Sequence, residues 1–154
     1  MITERHVLLT HELSRQLVFL RKAIRLLSES HRKCSARGIQ SDYSEDDLEK
    51  FESLTSRFSR ASDLLVQKIF GLLDALESED RGSVIDRINR AEKRGIVQSA
   101  ATFREMREVR NRIAHEYADE NLSELFQKVL HFTPALIETL PSLEDYLKNK
   151  IPGA

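Results

Sequence analysis

Residues 44–76, SEDDLEKFESLTSRFSRASDLLVQKIFGLLDAL, decide the fold class. Phe51, Leu54, Phe58, Ala61, Leu65, Ile69, Leu72 and Leu76 recur at spacings of three and four, which puts them on one face of a helix more than twenty residues long. Val66, Phe70 and Leu73 widen that face in its second half. Such width predicts two packing partners and, being larger than a five-helix bundle needs, a second copy of the chain. Ser44 followed by Asp47 predicts an N-cap with an acidic first turn, so the crowded Glu45, Asp46, Asp47 and Glu49 are better read as capping charges than as a metal-binding set.

Working outward, Leu13, Leu17, Leu20, Ile24 and Leu27 form a second stripe and predict a helix from about residue 11 to 32, ended by SARGIQSDY. After the central helix, Ser83 with Asp86 predicts a third start, and Lys93, Arg94 and Gly95 predict its end through basic residues near the dipole and a left-handed glycine. Ser99 is placed to cap a fourth helix carrying Phe103, Met106, Val109 and Ile113, and Asn121 with Glu124 makes a capping-box-like start for a fifth. Pro134 and Pro141 each remove a backbone donor, which predicts a kink or a restart with Thr133 as N-cap. The terminal IPGA is expected to fray.

Composition agrees with an all-α, up-and-down bundle of about five helices. Five glycines and three prolines in 154 residues leave few turns, and 32% charged residues without tryptophan suit amphipathic helices. The length fits one domain over residues 1–154. The single cysteine, Cys34, excludes an intrachain disulfide and a cysteine-based zinc site and suits a reducing cytoplasm. No apolar run approaches membrane-spanning length, and neither a cofactor nor a metal is expected. His6, His11, His31 and His131 lack partners at metal-ligand spacing.

The net charge of −1 conceals blocks: residues 1–40 hold 8 basic and 3 acidic side chains, 41–80 hold 4 and 11, 81–115 hold 9 and 4, and the remainder 3 and 7. Alternating blocks predict pairing inside the bundle or across a dimer, while the arginine-rich third block is suited to phosphates.

In that third block RNRIAHEY, residues 110–117, sets Arg110 five residues before His115, with Asn111 beside the arginine and Tyr117 two past the histidine. Sixteen arginines and five histidines produce about 0.5 such Arg–His pairs by chance, but requiring the Asn and the Tyr as well lowers the expectation to about 0.0003. On a continuous helix the two side chains stand about 140° apart, so they converge only if the helix ends near Ala114. An imidazole, titrating near neutrality, can take a proton from a ribose 2′-OH, and the fork of Arg110 can hold the scissile phosphate. Arg104, Arg107 and Arg112 form a basic approach. The competing reading pairs Arg110 with an acidic neighbour and leaves His115 at a helix C-terminus.

The composite resembles the HEPN superfamily and, more narrowly, its HepT-like branch, whose arginine, polar neighbour, histidine and tyrosine fall on Arg110, Asn111, His115 and Tyr117. The resemblance implies a homodimer with a metal-independent ribonuclease site in the cleft between protomers, acting as a toxin. It also implies a nucleotidyltransferase antitoxin that attaches adenylate to Tyr117. The alternative is a non-catalytic substrate-binding or partner subunit of a minimal nucleotidyltransferase.

Overall fold

A computed structural model describes residues 2–115 and 121–151. Among them every regular element is helical: α1 (Glu4–Arg37), α2 (Glu45–Asp63), a π-helical stretch (Leu64–Ile69) that continues without a break into α3 (Phe70–Leu76), α4 (Val84–Lys93), α5 (Ala100–His115) and α6 (Leu122–Lys150). The central rod runs from α2 through α3. It packs on α1 along its whole length, on α5 and α6 through α2, and on α4 through the π-helical stretch and α3.

Helix starts follow local chemistry. The Asp47 amide donates to Ser44 Oγ at 3.1 Å, the Thr102 amide to Ser99 Oγ at 3.2 Å, and Ser83 and Asp86 satisfy one another in a full capping box. Gly95 takes the left-handed conformation, φ 76°, that ends α4. Helix α1 exceeds its apolar stripe at both ends. Thr3 Oγ1 caps it by accepting from the His6 amide, and it runs on to Arg37, whose guanidinium clasps Asp47 at 2.8 and 2.9 Å.

The wide face of the central rod is covered within the chain, which corrects the expectation that it requires a second copy. Phe51, Phe58, Leu65, Val66, Ile69, Phe70 and Leu73 are all fully buried. The π-helical stretch explains the width: Phe70 N–H reaches back five residues to Leu65 C=O, and the wider turn brings two adjacent pairs, 65/66 and 69/70, inward. At the other end Phe51 stacks on Phe126, and Tyr43 sets its ring edgewise on both.

Helix α6 is not interrupted. Pro134 and Pro141 lie inside it, and Thr133 caps nothing, because its hydroxyl donates to the Val129 carbonyl one turn back. The orphan left by Pro134 is the carbonyl of Leu130, and His31 Nε2 donates to that oxygen at 3.1 Å from α1. Asn121 likewise makes no side-chain cap, and Glu124 turns instead to Arg112 and Lys128.

Opposite charge blocks pair inside the bundle. Buried Asp74 on α3 accepts from Arg90 on α4 at 2.9 Å and from Arg94 just past its end at 2.7 Å, and Arg94 also holds Glu77, which accepts from Tyr146 on α6. Burial and the neighbouring Glu77 push the Tyr146 hydroxyl up to about 12. No helix among the described residues is long and apolar enough to cross a membrane.

Candidate functional site

Helix α5 carries the arginine-rich motif and is positioned by its buried face of Phe103, Met106 and Val109. Arg104, Arg107 and Arg110 recur every third residue and project together toward α4 and the end of α2, whereas Arg112 stands on the side that meets α6. They do not form one continuous basic approach. Arg104 donates to Asn89 Oδ1 at 3.2 Å, and Arg112 donates to Glu124 Oε1 at 3.3 Å.

Arg107 and Arg110 converge on one carboxylate. Arg110 presents the side of its fork to Asp63, Nε to Oδ1 and Nη2 to Oδ2, both at 2.7 Å. Arg107 Nη1 donates to the same Oδ1 at 2.8 Å and to Ser62 Oγ at 2.9 Å. Burial works to raise the Asp63 carboxyl, but hydrogen bonds from the two guanidinium groups outweigh it and hold the pKa below its ordinary value of 3.8. The same contact raises Arg110. Asp63 is the last residue before the π-helical stretch and makes no side-chain bond to its own helix, so its carboxylate is available to α5.

The trio keeps a cationic surplus, two guanidinium charges against one carboxylate. Of the five N–H groups on a guanidinium, two on Arg110 are committed to Asp63, leaving three, including both on Nη1. An anchored fork with a free edge is a suitable arrangement for a phosphate.

Helix α5 is helical through His115, one residue past Ala114, so Arg110 and His115 both stand on it. Five residues of helix set positions 110 and 115 about 140° apart around the axis, and His115 and Asn111 are both exposed. Tyr117 lies outside the described residues. A cleft of about 620 Å³ opens between α5 and α6, lined in part by Glu108, Arg112, Glu124 and Phe132; among the described site residues only Arg112 lines it.

Sequence reasoning missed Asp63 and His31. Nothing local marks Asp63, which sits 47 positions from Arg110. Its one available signal is a carboxylate interrupting an otherwise wide apolar face.

A family model described as Ribonuclease HepT-like matches residues 20–143. Comparisons with curated proteins and with solved structures find no match.

Proposed function

Because the chain belongs to the HepT-like ribonuclease family, we propose that it is an RNA endonuclease whose reacting groups are Arg110 and His115, and that it serves as the toxin of a toxin–antitoxin pair. The observation that carries this reading is the family match over residues 20–143, which encloses the whole RNRIAHEY segment. The anchored, partly free fork of Arg110 supports it.

The reaction needs a base, an acid and a group that holds the phosphate. The base takes the ribose 2′ proton, the 2′-oxygen attacks phosphorus, and the bond to the 5′-oxygen breaks as the acid protonates that oxygen. The products are a 2′,3′-cyclic phosphate and a 5′-hydroxyl. The free N–H groups of Arg110 are suited to the extra negative charge of the transition state. Because five residues of helix set Arg110 and His115 of one chain about 140° apart, a two-fold dimer that faces α5 against α5 brings such groups together, with one imidazole as base and the other as acid. Asn111, exposed beside Arg110, is suited to a phosphate or ribose contact, and Arg104, Arg107 and Arg112 to the flanking backbone.

Purified protein incubated with mixed cellular RNA and a chelator, beside a His115→Ala control, tests the activity and its independence of metal. Cleavage by the wild type alone is expected; equal cleavage in both samples would reject the site. The proposed antitoxin is a nucleotidyltransferase that adenylates Tyr117, adding a negative charge and a base beside the site. Coexpression and intact-mass measurement should show adenylate increments that vanish in Tyr117→Phe. One observation favours a second reading, a non-cleaving partner subunit: the Arg110 fork already holds a carboxylate. In that case RNA binds but stays intact.

A further inference from the structure

Helix α1 has a second stripe, pointing away from the core. Leu8 is 64% exposed, Val7 56%, Val18 59% and Phe19 47%, a concentration of open apolar surface on one helix face. With Glu4, His11, Arg15 and Lys22 they form a seam. Glu4, Leu8, His11, Arg15, Val18 and Lys22 are spaced 4, 3, 4, 3, 4, the heptad spacing of helices that pair side by side.

The seam reads the same from both ends. About the level of Leu13, Leu8 is balanced by Val18, Val7 by Phe19, His11 by Arg15, and Glu4 by Lys22. A two-fold axis at that level, perpendicular to α1, brings a second α1 antiparallel. Leu8 of one copy then meets Val18 of the other, flanked by Val7 and Phe19, and this layer occurs twice. At each end Glu4 of one copy lies opposite Lys22 of the other, and among the described residues neither has an ion-pair partner within the chain. At the centre the charge of Arg15 is already met by its own Glu12 at 3.0 Å, and its guanidinium lies over its own Phe19 ring at 5.9 Å. A parallel pair would instead set Glu4 against Glu4 and Lys22 against Lys22.

We propose that the outer face of α1 is an isologous docking surface for a second copy of this chain, joined antiparallel through Leu8 and Val18 and closed at its ends by Glu4 and Lys22. Charge complementarity and the palindromic register identify the occupant. The surface is separate from the α5 face. Helices α1 and α5 make no contact, while α2 and α6 touch both. The inference therefore stands independently of the ribonuclease reading, and if both faces pair, the assembly exceeds a dimer.

Variants of the full chain that each gain one cysteine test the register. Leu8→Cys and Val18→Cys, mixed in equal amounts and oxidised, should give a cross-linked dimer. Either variant alone should stay at the wild-type background, because like positions would lie ten residues, about 15 Å, apart along the axis. Native Cys34 is fully buried and common to all samples. Absence of the mixed cross-link, or equal cross-linking by either variant alone, would overturn the proposal. In sedimentation experiments Glu4→Lys and Lys22→Glu should each weaken self-association roughly threefold or more, with recovery when both are combined in one chain. No recovery would overturn the pairing of these two residues.

Discussion

Asp63 holds Arg110 by the side of its guanidinium, two N–H···O contacts of 2.7 Å that tie the end of α2 to α5 across 47 residues of sequence. The contact has two consequences. It joins two helices, and it fixes which edge of the Arg110 fork remains available to a ligand. Asp63→Ala removes the carboxylate that compensates two partly buried guanidinium groups. The expected cost is about 1 to 3 kcal/mol, reduced from the value for a fully buried pair by partial exposure. That corresponds to a fall of about 3 to 9 °C in melting temperature for a chain of this size. Asp63→Asn retains one acceptor and should lose less. An unchanged melting temperature in Asp63→Ala would mean that the pairing contributes nothing net.

His115 and Arg110 should separate in a combined assay of cleavage and stability. Loss of a transition-state contact of either kind costs about 2 to 4 kcal/mol, or roughly 30- to 1,000-fold in rate. His115 is exposed, so His115→Ala should leave the melting temperature unchanged. Arg110→Ala breaks the Asp63 contact and should lower it, although Arg107 still compensates the carboxylate. Retained RNA cleavage in both variants would exclude this pair as the reacting groups.

What the sequence revealed were features whose physics is local. Ser44, Ser83 and Ser99 cap helices because each hydroxyl needs only an amide three residues ahead, and Gly95 ends α4 because no other residue enters the left-handed region as cheaply. The ends of α1 escaped periodicity because Thr3 and Arg37 hold them by polar contacts outside the apolar stripe. Asp63 escaped because its partners are distant in sequence. The width of the central face was legible, but what covers it was not, since a π-helical turn changes how many residues one chain can face inward. The Arg110–His115–Tyr117 spacing was visible from the outset because it is a pattern within one segment, whereas the carboxylate that anchors its arginine lies 47 positions away.

Acid should loosen the bundle at definable contacts. The carboxyl groups of Asp63 and Asp47 are held below their ordinary value, the first by hydrogen bonds from Arg110 and Arg107 acting against burial, the second mainly by the bond from Arg37. A carboxyl whose folded pKa is depressed contributes its full stabilisation above the unfolded value, about 4, and loses it as pH falls through the lower folded value. Chemical denaturation should therefore show a stability difference between wild type and Asp63→Asn that is constant above about pH 5 and shrinks below pH 4. A difference that persists unchanged to pH 2 would assign the effect to packing.

His31 and Pro134 should be coupled through the carbonyl of Leu130. Proline at 134 has no N–H to offer the carbonyl of Leu130, and His31 Nε2 fills that place at 3.1 Å from the neighbouring helix. Removing the imidazole leaves a partly buried carbonyl oxygen without its donor, and His31→Ala is expected to cost about 1 to 3 kcal/mol. In a Pro134→Ala background the backbone N–H of residue 134 returns, so Leu130 C=O regains its intrahelical bond and the same change at His31 should cost less. A double-mutant cycle measured by urea denaturation should give a coupling of about 0.5 to 1.5 kcal/mol. Strict additivity would show that the imidazole contributes by packing alone, and that α6 tolerates Pro134 for another reason.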